Sequence, residues 1–302
     1  MIIIDYSATA IATLTGGFME ELNTNSYEKI EDILRHALLS TIKSYKKQFS
    51  AKFGSTIVIA VDNKTYWRRE VFPAYKAGRK KSREDSGINW TLIHQAMDAT
   101  KHDLAKHFPY KVIDVEGAEA DDVMAVISKY TTETLVTKNV LFGDDDPEQV
   151  LVITTDKDMS QLTKYKNVKV WNPRDKKQVK LEVSPSMFLK RLILKGDPGD
   201  GIPGVFSHEN SFIDGIRQKP CTEAKMKPLL DAKTLVDGTT DPELIRRIKL
   251  NSQLIDFSYI PEEVSTRIIN AFNTPNTNTL MTVMNYLISK NMKLMLKDVE
   301  QF

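Results

Sequence analysis

Three carboxylates lie within four residues, in the stretch Glu119-Ala120-Asp121-Asp122, between an apolar run typical of a strand and one typical of a helix. A single acidic residue in the first turn of a helix is explained by the helix dipole. Three neighbouring carboxylates repel one another unless a cation or several hydrogen-bond donors neutralise them. This stretch alone therefore leaves a capped helix and a cation site as two open hypotheses.

More acids follow other predicted strands, at the ends of the apolar runs 2–4, 56–61 and 150–154. These acids are Asp5, Asp62, Asp156 and Asp158. Such β-branched runs are typical of strands buried on both faces, and parallel sheets place ligands at the carboxyl ends of their strands. We therefore expect these aspartates and the acids of residues 119–122 to meet at one edge of a sheet.

A ring of carboxylates without cysteine or histidine is a site that Mg²⁺ prefers, because this hard cation takes oxygen ligands. Two Mg²⁺ ions roughly 3.5–4 Å apart can generate a hydroxide near neutral pH and stabilise the leaving oxygen of a phosphodiester. The five histidines lie outside every motif. The acids at the strand ends therefore predict metal-assisted hydrolysis, whereas the acidic run 143–147 predicts only a surface turn.

A basic and aromatic insert follows Asp62, over residues 64–83. Its cations are Lys64, Arg68, Arg69, Lys76, Arg79, Lys80, Lys81 and Arg83, against one acid, Glu70. Its aromatic residues are Tyr66, Trp67, Phe72 and Tyr75. A basic run alone fits a solvated loop equally well, but cations interleaved with aromatic rings are how proteins hold a nucleic-acid strand. The insert therefore predicts a contact with nucleic acid.

A glycine-rich turn, Lys195-Gly196-Asp197-Pro198-Gly199-Asp200-Gly201-Ile202-Pro203-Gly204-Val205, contributes two more acids. Its four glycines and two prolines specify a tightly turned backbone that approaches another group closely. That group is either a packed helix, or a cation or phosphate held by backbone atoms. The sequence leaves these alternatives open.

Strands alternate with helices up to Pro185, and the remainder is mainly helical. This pattern predicts an α/β fold, with a central, mostly parallel sheet flanked by helices over residues 1–184 and a helical domain over residues 185–302. With 41% hydrophobic residues, 27% charged residues and a net charge of +2, any basic footprint must be local. Cys221 is the single cysteine, which excludes an intrachain disulfide, and no signal peptide or membrane-spanning run is evident. We therefore expect a cytoplasmic protein.

The acids, the basic insert and the glycine-rich turn together resemble the structure-specific 5′-nuclease, or flap endonuclease, family. The matching motifs are Ala118-Glu119-Ala120-Asp121-Asp122, Thr155-Asp156-Lys157-Asp158, Asp62-Asn63 with Tyr66-Trp67-Arg68-Arg69, and Lys195-Gly196-Asp197-Pro198-Gly199-Asp200. The resemblance runs over residues 2–261 and is greatest to phage enzymes with ribonuclease H activity, which trim RNA primers from lagging strands. It implies a 5′-nuclease or PIN-like sheet, a basic arch over residues 63–90 and a helix–three-turn–helix over residues 187–215.

The resemblance also implies roles for individual residues. The carboxylates that match ligands of a first metal ion are Asp5, Asp62, Glu119, Asp121 and Asp156. Those that match ligands of a second ion are Asp158, Asp197 and Asp200, with Asp121 or Asp122 shared. Lys76 and Arg79 match arch residues beside the scissile phosphate, so they are catalytic candidates together with Asp121 and Asp156. The expected contacts with nucleic acid are Arg68, Arg69, Tyr75, Lys76, Arg79, Lys80, Lys81, Gly199, Gly201 and Gly204.

By this resemblance the protein is expected to be a Mg²⁺-dependent 5′-to-3′ exonuclease and flap endonuclease with ribonuclease H activity. It would hydrolyse phosphodiesters with two metal ions, leave a 5′-phosphate, and remove RNA primers and adjoining DNA during DNA replication. The implied cofactors are two Mg²⁺ ions, which Mn²⁺ can replace, and a monovalent cation at the glycine-rich turn. The implied partners are DNA and RNA–DNA hybrids with a free 5′ end or flap, and a single-strand-binding protein or sliding clamp. We expect a monomer in the cytoplasm, that of the host cell if the chain is phage-encoded.

Two other functions share part of the pattern. A PIN-type nuclease that acts on single-stranded RNA would have the sheet and the acids, but it would need neither the basic insert nor the glycine-rich turn. A branched-DNA-binding protein without catalysis would be marked by missing metal ligands, and none of the matching acids is missing. The complete set of motifs favours the nuclease.

Overall fold

The computed structural model describes residues 1–17, 26–79, 88–138 and 145–302. The main sheet contains β1 (Ile2–Asp5), β2 (Ile57–Ala60), β3 (Lys111–Ile113), β6 (Val150–Ile153), β7 (Val168–Asn172) and β8 (Lys177–Gln178). A separate antiparallel pair consists of β4 (Val136–Lys138) and β5 (Asp145–Pro147). The helices are α1 (Tyr6–Gly17), α2 (Tyr27–Phe53), α3 (Arg68–Val71), α4 (Trp90–His107), α5 (Ala120–Glu133), α6 (Pro185–Lys195), α7 (Glu223–Asp231), α8 (Pro242–Ile255), α9 (Glu262–Asn273), α10 (Leu280–Ser289) and α11 (Lys293–Leu296). Short 3₁₀ helices cover Lys157–Lys164, Pro198–Asp200, Val236–Gly238, Phe257–Tyr259 and Val299–Gln301.

The main sheet has the strand order β3-β2-β1-β6-β7-β8. The first five strands in that order run parallel, and β8 pairs antiparallel with β7. The register aligns Asp5 with Ala60 and Ile4 with Ile153, so β1, β2 and β6 end at the same level. The loops after these strands therefore leave from one edge of the sheet. This confirms the α/β fold expected from the sequence.

The central strands are buried because helices cover both faces of the sheet. Side chains alternate along a strand, so Ile2 and Ile4 of β1 face one layer of helices and Ile3 faces the other. The first layer consists of α1, α2 and α4, together with residues of α10 and α11. The second layer consists of α5, α9 and the 3₁₀ helix Lys157–Lys164. The apolar runs that predict strands thus form the centre of a three-layer arrangement.

The middle of the helical region, from α6 to α8, forms an apolar cluster of its own. Phe72 and Tyr75 of the basic insert are buried in this cluster. Asn251 of α8 donates from Nδ2 to the carbonyl oxygens of Ile193 and Pro203, at 2.9 and 2.8 Å. Helix α8 therefore holds the backbone just before the glycine-rich turn, at Ile193, and near the end of the turn, at Pro203.

Some parts of the chain differ from what the sequence predicts. Helix α1 follows β1 directly, and residues 145–147 of the acidic run form a strand rather than a turn. Phe302 is packed against the core, because it is 2% exposed and its ring lies 5.6 Å from that of Phe108. The last helices share the core of the sheet, so the division after residue 184 stays a prediction. Within the described ranges, each helix is too short or too polar to cross a membrane.

Candidate active site

The carboxyl ends of β1 and β6 bring Asp5 and Asp156 close together. Asp5 Oδ2 accepts a hydrogen bond from Thr154 Oγ1 at 2.8 Å, and Asp5 Oδ1 accepts one from the backbone nitrogen of Ala8 at 3.0 Å. Burial, and next the charge of Asp62, raise the pKa of Asp5 to about 7. The Asp5 carboxyl group is therefore held in place by donors, but it forms no ion pair with a described residue.

The turn before α5 brings Asp62 and the acidic stretch together. Gly117 has a φ of +83°, a conformation that favours glycine, and the backbone nitrogen of Ala120 donates to Asp62 Oδ1 at 3.0 Å. Within the described part of the chain, neither a hydrogen bond nor an ion pair anchors the side chain of Asp121. Burial, and next the charge of Asp156, raise the pKa of Asp121 well above its usual range. Asp121 thus lies near other acids, and no described residue donates a hydrogen bond to its side chain.

The turn after β6 contributes Asp156 and Asp158. Asp156 Oδ1 accepts a hydrogen bond from the backbone nitrogen of Asp158 at 2.8 Å, which caps the 3₁₀ helix that follows. Burial raises the pKa of Asp156, and the charges of Asp200 and Asp197 add to that shift. Burial and the charge of Asp156 raise the pKa of Asp158 to about 7. Asp158 Oδ1 is buried and has no hydrogen-bond partner among the described residues, which is unfavourable unless a cation binds it.

The glycine-rich turn carries Asp197 and Asp200 and packs against the basic insert. The backbone nitrogen of Lys76 donates to the carbonyl oxygen of Asp200 at 2.8 Å. A Cβ on Gly201, whose φ is +73°, would lie 3.4 Å from the carbonyl oxygen of Ala74. The group that this part of the turn approaches closely is therefore the backbone of residues 74–76. The insert and the turn position each other.

Two cations of the insert reach the acids. Lys76 Nζ lies 2.5 Å from Glu119 Oε1 and 3.6 Å from Asp200 Oδ2, and Lys76 has a φ of +58°. Arg79 Nη2 lies 2.5 Å from Asp200 Oδ1, and 48% of the Arg79 side chain is exposed. Burial alone would lower the pKa of Lys76, but Glu119 and Asp200 raise it above its usual value, so the side chain stays charged. The structure therefore brings both predicted catalytic cations to the predicted acids.

The nine predicted metal ligands divide into those that form ion pairs with the protein and those that do not among the described residues. Three of them form ion pairs with Arg68, Lys76 or Arg79, namely Glu119, Asp122 and Asp200. The other six form no ion pair with a described residue, namely Asp5, Asp62, Asp121, Asp156, Asp158 and Asp197. The second group therefore consists of carboxyl groups that no cation of the described residues pairs with.

This donor set fits a hard divalent cation. All its ligand atoms are oxygens, and among the described residues six of its carboxyl groups form no ion pair and the buried Asp158 Oδ1 accepts no hydrogen bond. No three Asp, Glu, His or Cys side chains of the described ranges are already arranged as a set of ligands around one ion. Carboxylates that repel one another do not converge on a point without a cation, so small side-chain movements would have to accompany binding.

Arg68 and Asp122 form a buried ion pair next to the acids. Arg68 Nη2 lies 2.8 Å from Asp122 Oδ1, Nη1 lies 3.0 Å from Asp122 Oδ2, and 3% of the arginine side chain is exposed. Trp67 Nε1 also donates to Asp122 Oδ2, at 3.2 Å. Arg68 is therefore out of reach of a nucleic-acid strand, which corrects the role expected from the basic insert. Protein donors hold Asp122, and its role as a metal ligand stays a prediction.

The aromatic residues of the insert are less accessible than the sequence predicts. Tyr75 is 2% exposed, and its hydroxyl donates to Asp200 Oδ2 at 2.8 Å, so its ring is not available to stack on a base. Tyr66 remains half-buried, with the exposed guanidinium of Arg69 4.7 Å from the centre of its ring. Arg69 and Tyr66 are therefore better placed than Tyr75 for a contact with nucleic acid.

The three glycines predicted to contact nucleic acid have different surroundings. Gly199 is exposed, whereas Gly204 is buried and its backbone nitrogen donates to Gln218 Oε1 at 2.9 Å. A Cβ on Gly204 would collide with Cys221 Sγ, so this glycine is explained by packing inside the protein. Lys80 and Lys81 lie outside the described residues, and their contacts stay a prediction.

A cleft of about 860 Å³ opens beside the acids. The residues that line it include Asp62, Glu119, Lys76, Tyr66 and Arg69. Its volume lies within the range of roughly 300–1,000 Å³ that is usual for ligand sites. Of the predicted ligands, the cleft gives an extended substrate access to Asp62 and Glu119.

Two residues that support the site carry no motif. Thr154 donates to Asp5, and the signal that could have indicated it is a polar residue at the end of an apolar run, directly before the aspartates. Asn251 holds the glycine-rich turn through backbone carbonyls 58 and 48 residues away, and no local pattern in the sequence indicates such contacts. The supporting role of Asn251 therefore becomes visible only in the folded structure.

Two family descriptions match this chain. Residues 23–192 match the family described as 5′-3′ exonuclease, N-terminal resolvase-like domain, and residues 183–302 match the family described as T4 RNase H, C terminal. Ribonuclease H of Enterobacteria phage T4 is 31% identical over 307 residues, which cover 99% of this chain and 95% of that protein. Flap endonuclease Xni of Shewanella woodyi is 32% identical over 148 residues, which cover 47% of this chain and 50% of that protein. These matches confirm the resemblance drawn from the motifs.

Solved structures of low sequence identity share the fold. A flap endonuclease of bacteriophage T5, in a pseudo-enzyme–product complex with DNA and metal ions, superposes with a TM-score of 0.61 and 16% identity, over 90% of this chain and 97% of that chain. The T5 5′-exonuclease with bound zinc ions superposes with a TM-score of 0.55 and 18% identity, over 91% and 99% of the two chains. The sheet and its flanking helices are therefore a known arrangement.

Proposed function

The chain belongs to the 5′-3′ exonuclease family of phosphodiesterases, and from this premise we propose that it is a Mg²⁺-dependent 5′-nuclease of DNA replication. It removes RNA primers and adjoining DNA from lagging-strand fragments by acting at a free 5′ end or flap. The observation that carries the proposal is the group of six carboxyl groups that form no ion pair with a described residue, at one edge of the sheet beside Lys76 and Arg79. Similarity to a ribonuclease H over nearly the whole chain supports the part that concerns RNA–DNA hybrids.

The carboxylates hold two divalent ions in this proposal, Mg²⁺ or Mn²⁺. The ligands of the first are Asp5, Asp62, Glu119, Asp121 and Asp156. The ligands of the second are Asp158, Asp197 and Asp200, with Asp121 or Asp122 shared. When bound, the ions supply a hydroxide near neutral pH and stabilise the leaving oxygen. Burial raises the pKa of both Asp5 and Asp158 to about 7, and a nearby cation would restore their charged forms.

Lys76 and Arg79 contact the phosphate at the scissile bond in this proposal. In the protein alone, Lys76 pairs with Glu119 and Arg79 pairs with Asp200. Both cations also line the cleft, where a strand has access to them. Once the acids are neutralised, the two cations are free to stabilise the charge that develops on the phosphate.

The substrate strand occupies the cleft, where an aromatic ring and basic side chains bind it without a preference for particular bases. Tyr66 offers a ring face, and Lys64 and Arg69 offer charges along the same walls. Gly199 lies exposed in the glycine-rich turn, where a monovalent cation would join the backbone to duplex phosphates. The protein acts as a monomer in this proposal, and a single-strand-binding protein or sliding clamp recruits it to its substrate.

A cleavage assay tests the proposed function. A labelled 5′-flap substrate, and a nicked duplex with an RNA primer ahead of the nick, are incubated with the protein in Mg²⁺ and in EDTA. We expect release of labelled product from both substrates in Mg²⁺ and none in EDTA. Cleavage of linear single-stranded RNA without need for a flap or duplex would favour a PIN-type ribonuclease. Flap binding without cleavage in either buffer would favour a non-catalytic branched-DNA-binding protein.

A further inference from the structure

The guanidinium of Arg68 contacts separate parts of the chain in the protein interior. Nη1 lies 2.8 Å from Glu119 Oε2, and Nη2 lies 2.8 Å from Asp122 Oδ1, so the arginine spans the first turn of α5. Nε donates to the carbonyl oxygen of Leu254, near the end of α8, at 2.8 Å. The guanidinium carbon also lies 4.6 Å from the centre of the Trp67 ring. Because the planar guanidinium of Arg68 contacts a partner at each of these points, its orientation is fixed.

Glu119 is the partner through which Arg68 reaches the proposed metal site. The Glu119 side chain is 2% exposed, with Oε2 next to Arg68 and Oε1 next to Lys76 Nζ. Asp122 balances the charge of Arg68, because the same guanidinium contacts both oxygens of Asp122. The Arg68–Asp122 pair can therefore orient Glu119 without adding net charge to the site.

The contact with Leu254 joins this arrangement to the glycine-rich turn. Leu254 lies near the end of α8, and Asn251, three residues earlier on the same helix, donates to the carbonyl oxygens of Ile193 and Pro203. The same end of α8 therefore holds both the turn and Arg68. A change in the position of α8 would therefore affect the acids both through Arg68 and through the glycine-rich turn.

We propose that Arg68 is a positioning residue, which holds the Glu119 carboxylate in the orientation that a divalent ion requires and takes its own position from helix α8. The inference rests on the proposed metal-dependent function. Metal ligands whose orientation is fixed by hydrogen-bonded partners bind the ion more tightly, and loss of such a partner commonly costs about 10–100-fold in affinity or activity. Arg68 thus acts on the reaction from the interior, without contact with the substrate.

Arg68→Lys tests the inference, because it keeps the positive charge and removes the planar fork. A single ammonium group cannot contact Glu119, Asp122 and Leu254 together in the same geometry. We expect Arg68→Lys to weaken Mn²⁺ binding by about 10-fold or more, measured by calorimetric titration of the protein without DNA. The single-turnover rate on a 5′-flap should fall by a similar factor, while the flap Kd in Ca²⁺ changes by less than about twofold.

Arg35→Lys is the matched control. Arg35 is a buried arginine whose Nη1 lies 2.5 Å from Asp32 Oδ1, with 5% of its side chain exposed. Its other carboxylate partners are Glu31 and Asp103, and none of the three belongs to the acids of the proposed site. We expect Arg35→Lys to lower Tm and to leave the Mn²⁺ affinity and the cleavage rate unchanged.

The outcomes separate this inference from the proposed function. If Arg68→Lys lowers Tm as Arg35→Lys does but leaves the Mn²⁺ affinity and the rate unchanged, Arg68 is only structural and the inference is wrong. In a Glu119→Gln background, Arg68→Lys should have no further effect on Mn²⁺ affinity, and an undiminished effect would also overturn it. Should Arg68→Lys not fold, Arg68→Gln replaces it under the same criteria. A wild-type protein that neither binds Mn²⁺ nor cleaves flaps would instead overturn the proposed function.

Discussion

Single carboxylates at the proposed site differ in whether the protein itself neutralises them. Glu119 and Asp200 contact Lys76 and Arg79, whereas Asp121 has no such partner among the described residues. Burial, followed by the charge of Asp156, raises the pKa of Asp121 well above its usual range. A carboxylate in these surroundings is unfavourable for the metal-free fold, so function rather than stability accounts for its position.

Asp121→Asn should abolish cleavage without loss of stability. We expect the single-turnover rate on a 5′-flap to fall on the order of 10²–10³-fold or more, and Tm in EDTA to stay the same or rise, because the amide removes a repelled charge. Asp114→Asn is the control, since Asp114 follows β3, pairs with Lys101 at 2.7 Å and should not affect the rate. A lower Tm with normal cleavage would show that Asp121 supports the fold instead.

Lys76 and Arg79 should act on the chemical step more than on binding. Both contact the acids, so we expect Lys76→Ala and Arg79→Ala to lower the single-turnover rate on the order of 10²–10³-fold at saturating enzyme. Lys80→Ala and Lys81→Ala should mainly weaken flap binding and reduce its salt dependence by roughly one counterion each. Rates measured at two salt concentrations decide between these roles. Full recovery of the Lys76→Ala rate at saturation would place Lys76 among the strand-binding cations.

The raised pKa of Asp158 predicts that the metal-free protein loses stability as pH rises. Its pKa is about 7 in the folded protein, above the ordinary value of 3.8, so the folded state binds the proton more tightly. The resulting stabilisation is complete below about pH 4 and is lost as the pH rises through about 7. We expect Tm in EDTA to fall between about pH 5 and pH 8, and Asp158→Asn to raise Tm at about pH 8 by roughly 2–4 °C. An unchanged or rising Tm over this interval would contradict the prediction, and Asp5 contributes with the same sign.

Secondary-structure elements place these residues mainly through their ends. The strands that finish in acids were predictable, because burial on both faces of β1, β2 and β6 leaves an apolar, β-branched run in the sequence. Helix α1 was not predictable, because its threonines and terminal glycines are weaker helix formers than alanine and its apolar residues mark no distinct face. Packing against the core, and a hydrogen bond from the Ala8 nitrogen to Asp5, stabilise it instead.

The basic insert shows where local composition misleads. Its charge and aromatic content predict a solvent-facing segment, but Arg68, Phe72 and Tyr75 are buried. Their partners lie far along the chain, in α5, in the glycine-rich turn and in α8. The sequence therefore predicts which residue types gather at the site, whereas the division of the insert into buried and exposed cations depends on long-range packing.

Substitution of Gly196 tests the contact between α6 and the glycine-rich turn. Its φ is +67°, and a Cβ there would collide with the carbonyl oxygens of Ile202 and Pro203. Gly196→Ala must therefore displace the turn that carries Asp200, and we expect both a large drop in Tm and slower flap cleavage. Gly215→Ala is the matched control, because its φ is +65° and nothing lies within 4 Å of the added Cβ. It should show only backbone strain of about 1–2 kcal/mol, and equal losses of Tm in the two variants would exclude an effect of the collision.

The whole molecule is held together by segments that are distant in the sequence. Phe302 packs edge-to-face against Phe108, and Lys43 Nζ lies 5.9 Å from the centre of the Phe302 ring. Residues 280–296 belong to the part of the chain predicted to be mainly helical, but nothing local indicated that they return to the layer formed by α2 and α4. This is why the sequence could not show which helices share the core of the sheet, and the division after residue 184 stays a prediction.

Phe302→Ala should lower stability and leave catalysis intact. The ring is 2% exposed, so its removal should cost about 3–5 kcal/mol in the free energy of unfolding. Since Phe302 packs against α2 and α4 rather than against the acids, the single-turnover rate of the folded protein should not change. Leu294→Ala is the control, with a side chain that is 73% exposed, and it should alter neither quantity. Denaturant unfolding and flap cleavage measured on the same samples provide the comparison.

The position of β1 in the middle of the sheet has a consequence for how the chain folds during its synthesis. β1 pairs with β2 on one side, but its other neighbour is β6, with Ile3 opposite Val152. A ribosome that adds roughly 5–20 residues per second takes about 8–30 s to travel between these two strands. Throughout that interval one edge of an apolar strand has no partner within the nascent chain. Chaperones that bind unpaired apolar strands would therefore find their target in β1, well before the strand that completes its pairing is made.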